Sequence, residues 1–436
     1  MPLLPPDHPQ RYALADEVHA RPPEPLESPS RTTYLAVLID AEDRERERLH
    51  LAALCARHAQ SPPPEATQFV ASLGALRLRW ERHGEFSGYT FSTTGRSAAP
   101  WGEPPSALLP PDWLAAIPGV TMVAAQAELL PADASGSVPD AAALSQHFGS
   151  QIVVGAEIGD GAGMAFTDFR IQTDGCTRFL VLNRGFTPRQ AGRMLQRLFE
   201  IEAYRMMSLL ALPIARRQSP RIVTIEKALA TLTDDIAREH GSNDEALLQE
   251  LTRLAAEVES GLAASQFRFG ACRAYYELVT RRIAELREGR VPGLQTIEEF
   301  MARRCTPAVA TCSTVSQRLH DLSERVAQAS GLLSTRVEIT RERQNQRLLG
   351  SMDQRAKLQL RLQQTVEGLS VAAIVYYVAG LSGFVAKALK AAGVHVDPDL
   401  VVGLAIPIVA VLVILALRRA RRHLSSDEAD AASRHD

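Results

Sequence analysis

The sequence predicts an α+β cytosolic domain followed by a helical region, a long stalk helix and a C-terminal two-helix transmembrane hairpin. Three observations predict it. Short apolar runs separated by turn residues fill the chain up to about position 185. Helical periodicity replaces them afterwards, and two uncharged apolar runs lie near the end. The 436 residues are too many for one ordinary domain. We divide them at 1–30, 31–185, 186–306, 307–367, 368–417 and 418–436.

Residues 1–30 form an extended segment, rich in proline and charge around Asp16-Glu17-Val18-His19-Ala20-Arg21-Pro22-Pro23. Thr32 to Ile39 predicts a strand. Ala41 to His58 predicts an amphipathic helix with Leu49, Leu51, Leu54 and Cys55 at its apolar positions. Gln68 to Trp80 and Phe86 to Ser92 predict a hairpin turned at His83-Gly84, followed by a loop over 93–117. Val120 to Leu129 predicts another strand, and Ala141 to His147 a short helix. Gln151 to Ile158, Met164 to Gln172 and Thr177 to Leu182 predict an antiparallel meander. Its first turn, Gly159-Asp160-Gly161-Ala162-Gly163, lacks the Gly-Lys-Ser/Thr and the following helix of a phosphate loop.

Thr187-Pro188 supplies an N-cap and a proline at the first helical position. Leu195, Leu198, Ile201, Met206 and Leu209 continue that helix. Further helices are predicted at Ile222 to His240, Asn243 to Leu262 and Ala264 to Glu288, with no strand signal after about residue 185. No proline occurs from Ala308 to Ala386. Val315, Leu319, Leu322, Val326, Ala329 and Leu333 alternate four and three apart, a coiled-coil seam. Leu348, Met352, Leu358 and Leu362 resume it more loosely. Such a stalk packs on helices of its own chain, on other subunits, or on both.

The runs Gly368 to Ala386 and Leu400 to Leu417 each approach the ~30 Å hydrocarbon thickness at ~1.5 Å per residue. Arg418-Arg419-Ala420-Arg421-Arg422 follows the second, and Arg341, Arg343, Arg347, Arg355, Lys357 and Arg361 precede the first. The positive-inside rule then places both termini on the cytosolic side of the membrane, with the short loop facing outward. Ala379 and Gly383 have the spacing that lets spans approach closely, and Pro407 predicts a kink. Tyr376 and Tyr377 lie near mid-span, where their hydroxyls need partners, either a neighbouring helix or a polar pore lining. Asp397 and Asp399 fit a solvated loop or a cation-attracting mouth.

Catalytic motifs are absent, so no enzyme and no cofactor is expected. The net charge of −2 argues against nucleic-acid binding. His19 beside Asp16 and Glu17, and His83 between Glu81 and Glu85, read as charge networks rather than metal or acid–base clusters. Arg303 and Arg304 are expected to pair with acidic residues of the helical region. The five cysteines have no CxxC spacing and read as free buried thiols of a reducing compartment.

Three stretches carry a resemblance: His8-Pro9-Gln10-Arg11-Tyr12 with Glu17 to Pro22, Phe199 to Met206, and Glu367 to Tyr377. Together they resemble the bacterial domain of unknown function 3422, over essentially the whole chain. The order of parts also looks like CorA-type magnesium channels, in which stalks and first spans of five subunits surround a pore. The Gly-Met-Asn signature of that family is replaced here within Ala379-Gly380-Leu381-Ser382-Gly383-Phe384-Val385. That resemblance implies a homo-oligomeric ion channel or transporter assembled through the stalk and first span, with a cation as ligand. Its pore candidates are Ser370, Tyr376, Tyr377, Gly380, Ser382 and Gly383, with Asp397 and Asp399 at the outer mouth. The alternative is a membrane-tethered scaffold or sensor whose hairpin is only an anchor.

Overall fold

The computed structural model describes residues 5–12, 14–15, 23–64, 66–133, 138–149, 152–238, 244–393, 395 and 397–432. The chain divides within one long helix into two compact units, Met1–Leu332 and Leu333–Asp436.

The first unit is built on one nine-stranded sheet. In chain order its elements are β1 (Ser30–Leu38), α1 (Arg44–Ala56), β2 (Gln68–Leu73), β3 (Leu76–Arg82), β4 (Phe86–Thr94), α2 (Pro111–Ala115), β5 (Val120–Pro131) and α3 (Ala141–Phe148). Then come β6 (Val154–Ile158), β7 (Gly163–Thr167), β8 (Thr177–Asn183), α4 (Pro188–Leu209), α5 (Leu212–Arg238), α6 (Asp244–Leu286), β9 (Gly289–Arg290) and α7 (Ile297–Arg304). The strand order is β2-β3-β4-β1-β5-β8-β7-β6-β9. The meander β6-β7-β8 forms as expected, and it joins the other half through a parallel β5–β8 pair.

Registers fix the two faces of the sheet. Leu35 and its neighbour Val37 look toward α1, where Leu51, Leu54, Trp80, Phe91 and Trp113 complete one core. Leu180 and Leu182 look the same way and pack with Leu144 and Phe148 of α3. Tyr34 and Phe179 look to the opposite face, where both meet Phe199 of α4, at ring distances of 4.9 and 6.0 Å. The start of α4 obeys its sequence signal: Thr187 and Gln190 form a reciprocal capping box, with Pro188 inside the first turn.

Several sequence expectations are corrected. Gln68 to Trp80 is not one strand but two, turned at Gly74, whose φ of +73° suits glycine. The stretch 93–117 contains α2 and a short 3-10 turn at Pro105–Leu108. Strand β7 stops at Thr167, before Phe169 at φ +52°. Helix α5 starts at Leu212 and runs through Pro220, and α6 is continuous across the expected break near Ala264, Gly261 included. A strand does occur after residue 185: β9 closes the sheet edge against β6. In α1, Leu49 is exposed, and Glu47 takes a buried place instead.

The helix α8 (Thr306–Ala391) follows. Within the first unit, Val315, Leu319, Leu322, Val326 and Ala329 are all buried. Arg318 donates to Glu226 of α5 at 2.7 Å, and Ser323 to Glu259 of α6 at 2.7 Å. This part of the seam is therefore met by helices of its own chain.

In the second unit, α8 continues and α9 (Pro398–Ala432) follows after a short connection. Helix α9 passes through Pro407 and continues past the basic cluster, so the stretch expected as a tail is helical as far as Ala432. Among the described residues, two helices are long and apolar enough to cross a membrane, with mean hydropathy of 1.9 and 2.8 over their most apolar stretches. They approach at Gly383, where an added Cβ would stand 2.9 Å from Val402 Cγ2. Ala379 and Ala386, on the same helical face, are buried.

Candidate functional site

Within the sheet unit, a crevice forms where α4 crosses β1, β3 and β4. Tyr34, Arg79, Glu81, His83, Gln196, Glu200 and Tyr204 line it, with Leu26, Phe86 and Phe199 as its apolar walls. Water centres fit over only about 30 Å³, room for one or two molecules. A segment before β1 closes one side. The amide of Leu26 donates to Pro188 O at 3.0 Å, and Arg77 pairs with Glu24. Gly192 makes this possible, because a Cβ there would overlap the carbonyl oxygen of Glu24.

A chain of charge-assisted hydrogen bonds crosses the crevice. Arg79 donates to Glu81 at 2.7 Å and to Gln196 at 3.0 Å, and Gln196 donates to Glu200 at 2.7 Å. Arg282 of α6 donates to the other oxygen of Glu200 and, at 3.0 Å, to Glu285. Burial pushes the Glu200 carboxyl above its ordinary range, although the Arg282 charge pulls it back. Burial likewise pushes the Tyr34 hydroxyl well above its ordinary value, with Tyr204 and Glu81 adding to the shift. Nearby Tyr275 is pushed up to about 12 by burial, with Glu85 beside it. These groups hold protons or charges firmly and can orient a small polar ligand or water.

The expected sites separate under this geometry. His19, with Asp16 and Glu17, lies outside the described residues. Glu81 belongs to the crevice network. His83 stacks on Phe86 at 4.3 Å, and Glu85 pairs with Arg268 at 2.7 Å. Arg303 and Arg304 are a correction: they are exposed in the last turn of α7, with no ion pair to acidic residues among the described residues. A basic charge there complements the helix C-terminus without any side-chain partner. All five cysteines are free, but Cys176 is half-buried rather than buried. Cys272 and Cys312 share a hydrogen bond that raises the first thiol and lowers the second.

Five of the candidates, Tyr376, Tyr377, Gly380, Gly383 and Asp399, line one open groove between α8 and α9, whereas Ser370, Ser382 and Asp397 are not part of its lining. Ser382 and Gly383 are half-buried, on the side of α8 where Ala379 and Ala386 are buried. Ser370, Tyr376, Tyr377 and Gly380 are exposed, the tyrosines at 77% and 75%. Ser370 and Ser382 donate to the carbonyls of Val366 and Val378 at 2.9 and 2.7 Å, one helical turn back. Their hydroxyls are satisfied without water or an ion. Asp397 and Asp399 are exposed, and Asp397 accepts from the Asp399 amide at 3.1 Å. Among the described residues, no group of three or more His, Cys, Asp or Glu is placed to hold a metal.

The model of a family described as protein of unknown function (DUF3422) matches residues 6–424. The chain belongs to that family. No match was found among the curated proteins. Membership therefore adds no chemistry to the crevice, which sequence reasoning missed as a unit. Its members come from β1, β3, β4 and α4; Glu81 and His83 stood out in the sequence as charged residues, and Phe199, Glu200 and Tyr204 fell in a stretch that carried the family resemblance, but no local signal joined the two groups.

Proposed function

We propose that this family member is a membrane-anchored sensor. On this reading the hairpin mounts the chain in the inner membrane with both termini cytosolic, and the crevice under α4 receives a polar ligand about the size of one or two water molecules. One observation carries it. A connected network of charged and polar side chains lines the crevice of the sheet unit, whereas Ser370 and Ser382 are satisfied by their own helix and the groove beside Tyr376 and Tyr377 is open and mostly apolar. The exposed Leu348, Met352, Leu358 and Leu362 support self-association through the stalk. The test has two parts. Carbonate-washed membranes should retain the protein, and liposomes containing it should hold K⁺ and Mg²⁺ gradients. Sustained cation flux overturns the sensor reading.

A second reading, an oligomeric ion channel on the CorA plan, is favoured by Tyr376 and Tyr377. Both side chains are exposed near mid-span, and hydroxyls at hydrocarbon depth need partners. Under that reading first spans gather around the tyrosine face. Cysteines at 376 and 377 should then cross-link between copies, and Tyr377→Phe should alter flux. Silent liposomes and monomeric protein exclude it.

A further inference from the structure

An open groove on the outer side of α4 and α6 is lined by Arg193, Arg197, Arg281, Ala284, Glu285 and Arg287. Water centres fit over about 410 Å³, within the size range of small-ligand sites. The chain as a whole carries −2, yet this lining sets four guanidiniums against one carboxylate. That carboxylate is already shared: Glu285 accepts from Arg197 at 2.9 Å and from Arg282 at 3.0 Å. Arg287 pairs with Asp160 at 2.8 Å. Arg193 and Arg281 are exposed and have no ion pair among the described residues.

Such an arrangement is unfavourable without a counter-charge. Arg189, Arg193 and Arg197 recur four apart on α4, and like charges at that spacing repel. The packing of α4 on α6 nevertheless holds Arg197 in place through Glu285. Ala284 is the one apolar residue of the lining, so the polar recognition the groove offers comes from its guanidiniums. Guanidinium forks match the oxygens of phosphate in geometry as well as charge.

We propose that this groove binds a compact phosphate-bearing anion through Arg193, Arg281 and Arg197. The phosphate comes either from a free phosphate compound or from a phospholipid headgroup, and the chemistry at the arginines is the same.

The test uses the full chain in phosphatidylcholine nanodiscs, titrated calorimetrically with sodium pyrophosphate, with dioctanoyl phosphatidic acid and with citrate. Pyrophosphate should bind, and more weakly as salt is raised. Arg193→Glu with Arg281→Glu should weaken it by about a hundredfold, about tenfold for each charge-assisted contact. Arg193→Gln with Arg281→Gln, which keeps length and polarity, should also weaken it and serves if the reversed pair does not fold. Binding of the soluble phosphatidic acid as well assigns the headgroup; binding of pyrophosphate alone assigns a free phosphate compound. The proposal is overturned if neither phosphate probe binds, if citrate binds as tightly as pyrophosphate, or if the glutamine pair leaves binding unchanged.

Discussion

Between Thr306 and Leu332, α8 holds Val315, Leu319, Leu322 and Val326 at no more than 4% exposure. Beyond Leu333 the same helix leaves Leu348, Met352, Leu358 and Leu362 at 62–68%. Side chains of one chemical kind, on one uninterrupted helix, are covered in one stretch and bare in the other. The difference teaches where stability is generated. The first stretch gains from helices of its own chain, with Arg318–Glu226 and Ser323–Glu259 fixing the fit. The second contributes little until something else covers it, and further copies of the chain supply the cover in the function proposed above.

The sharpest way to break this comparison is inside the covered unit. Glu47 is 1% exposed and accepts from Trp80 Nε1 at 2.8 Å and from Tyr89 at 2.9 Å, with Arg44 beside it. Glu47→Ala strands both donors and removes the charge partner of Arg44, which keeps its bonds to Ser87 and to the carbonyls of His83 and Gly84, so we expect a loss of about 3 kcal/mol in denaturant unfolding. A variant as stable as the parent contradicts the buried network. Next, Leu322→Ala should cost about 3 kcal/mol, whereas Leu358→Ala should cost no more than about 0.5 in the isolated chain. Equal costs measured side by side erase the contrast between the two stretches of α8.

Smaller effects sharpen it. Gly383→Ile forces a side chain toward Val402 and should loosen the approach of α8 to α9, at a cost of about 2 kcal/mol. Cross-linking between cysteines at 379 and 406 should fall accordingly; unchanged yield separates the two helices at this point. The smallest effect is a pH dependence. Because the Glu200 carboxyl is raised by burial in the folded chain, its contribution is fully present below the ordinary carboxylate range. It is lost as pH rises through the raised value. Thermal melts of Glu200→Gln should lack that decline, and parallel profiles for parent and variant remove Glu200 as its source.

Local signals were legible where one segment decides its own conformation. Thr187-Pro188 marked the start of α4, Gly159 to Gly163 marked the β6–β7 turn, and the uncharged runs marked the two apolar helices. Interactions between distant segments were not. The parallel β5–β8 pair leaves no periodic trace, because parallel and antiparallel strands share the same alternation. The crevice unites Tyr34, Glu81 and Glu200, whose proximity depends on how α4 crosses the sheet. The seam from Val315 to Val326 read correctly as a packing face, but its spacing cannot say which chain supplies the opposing helix.

Gly192 gives one residue unusual leverage. The backbone around Glu24 lies against α4 only because position 192 has no side chain. A single methyl there would push that covering strip off α4 and open the crevice beside Tyr34 and Glu200. Alanine at 192 is thus a built-in way to uncap the chamber.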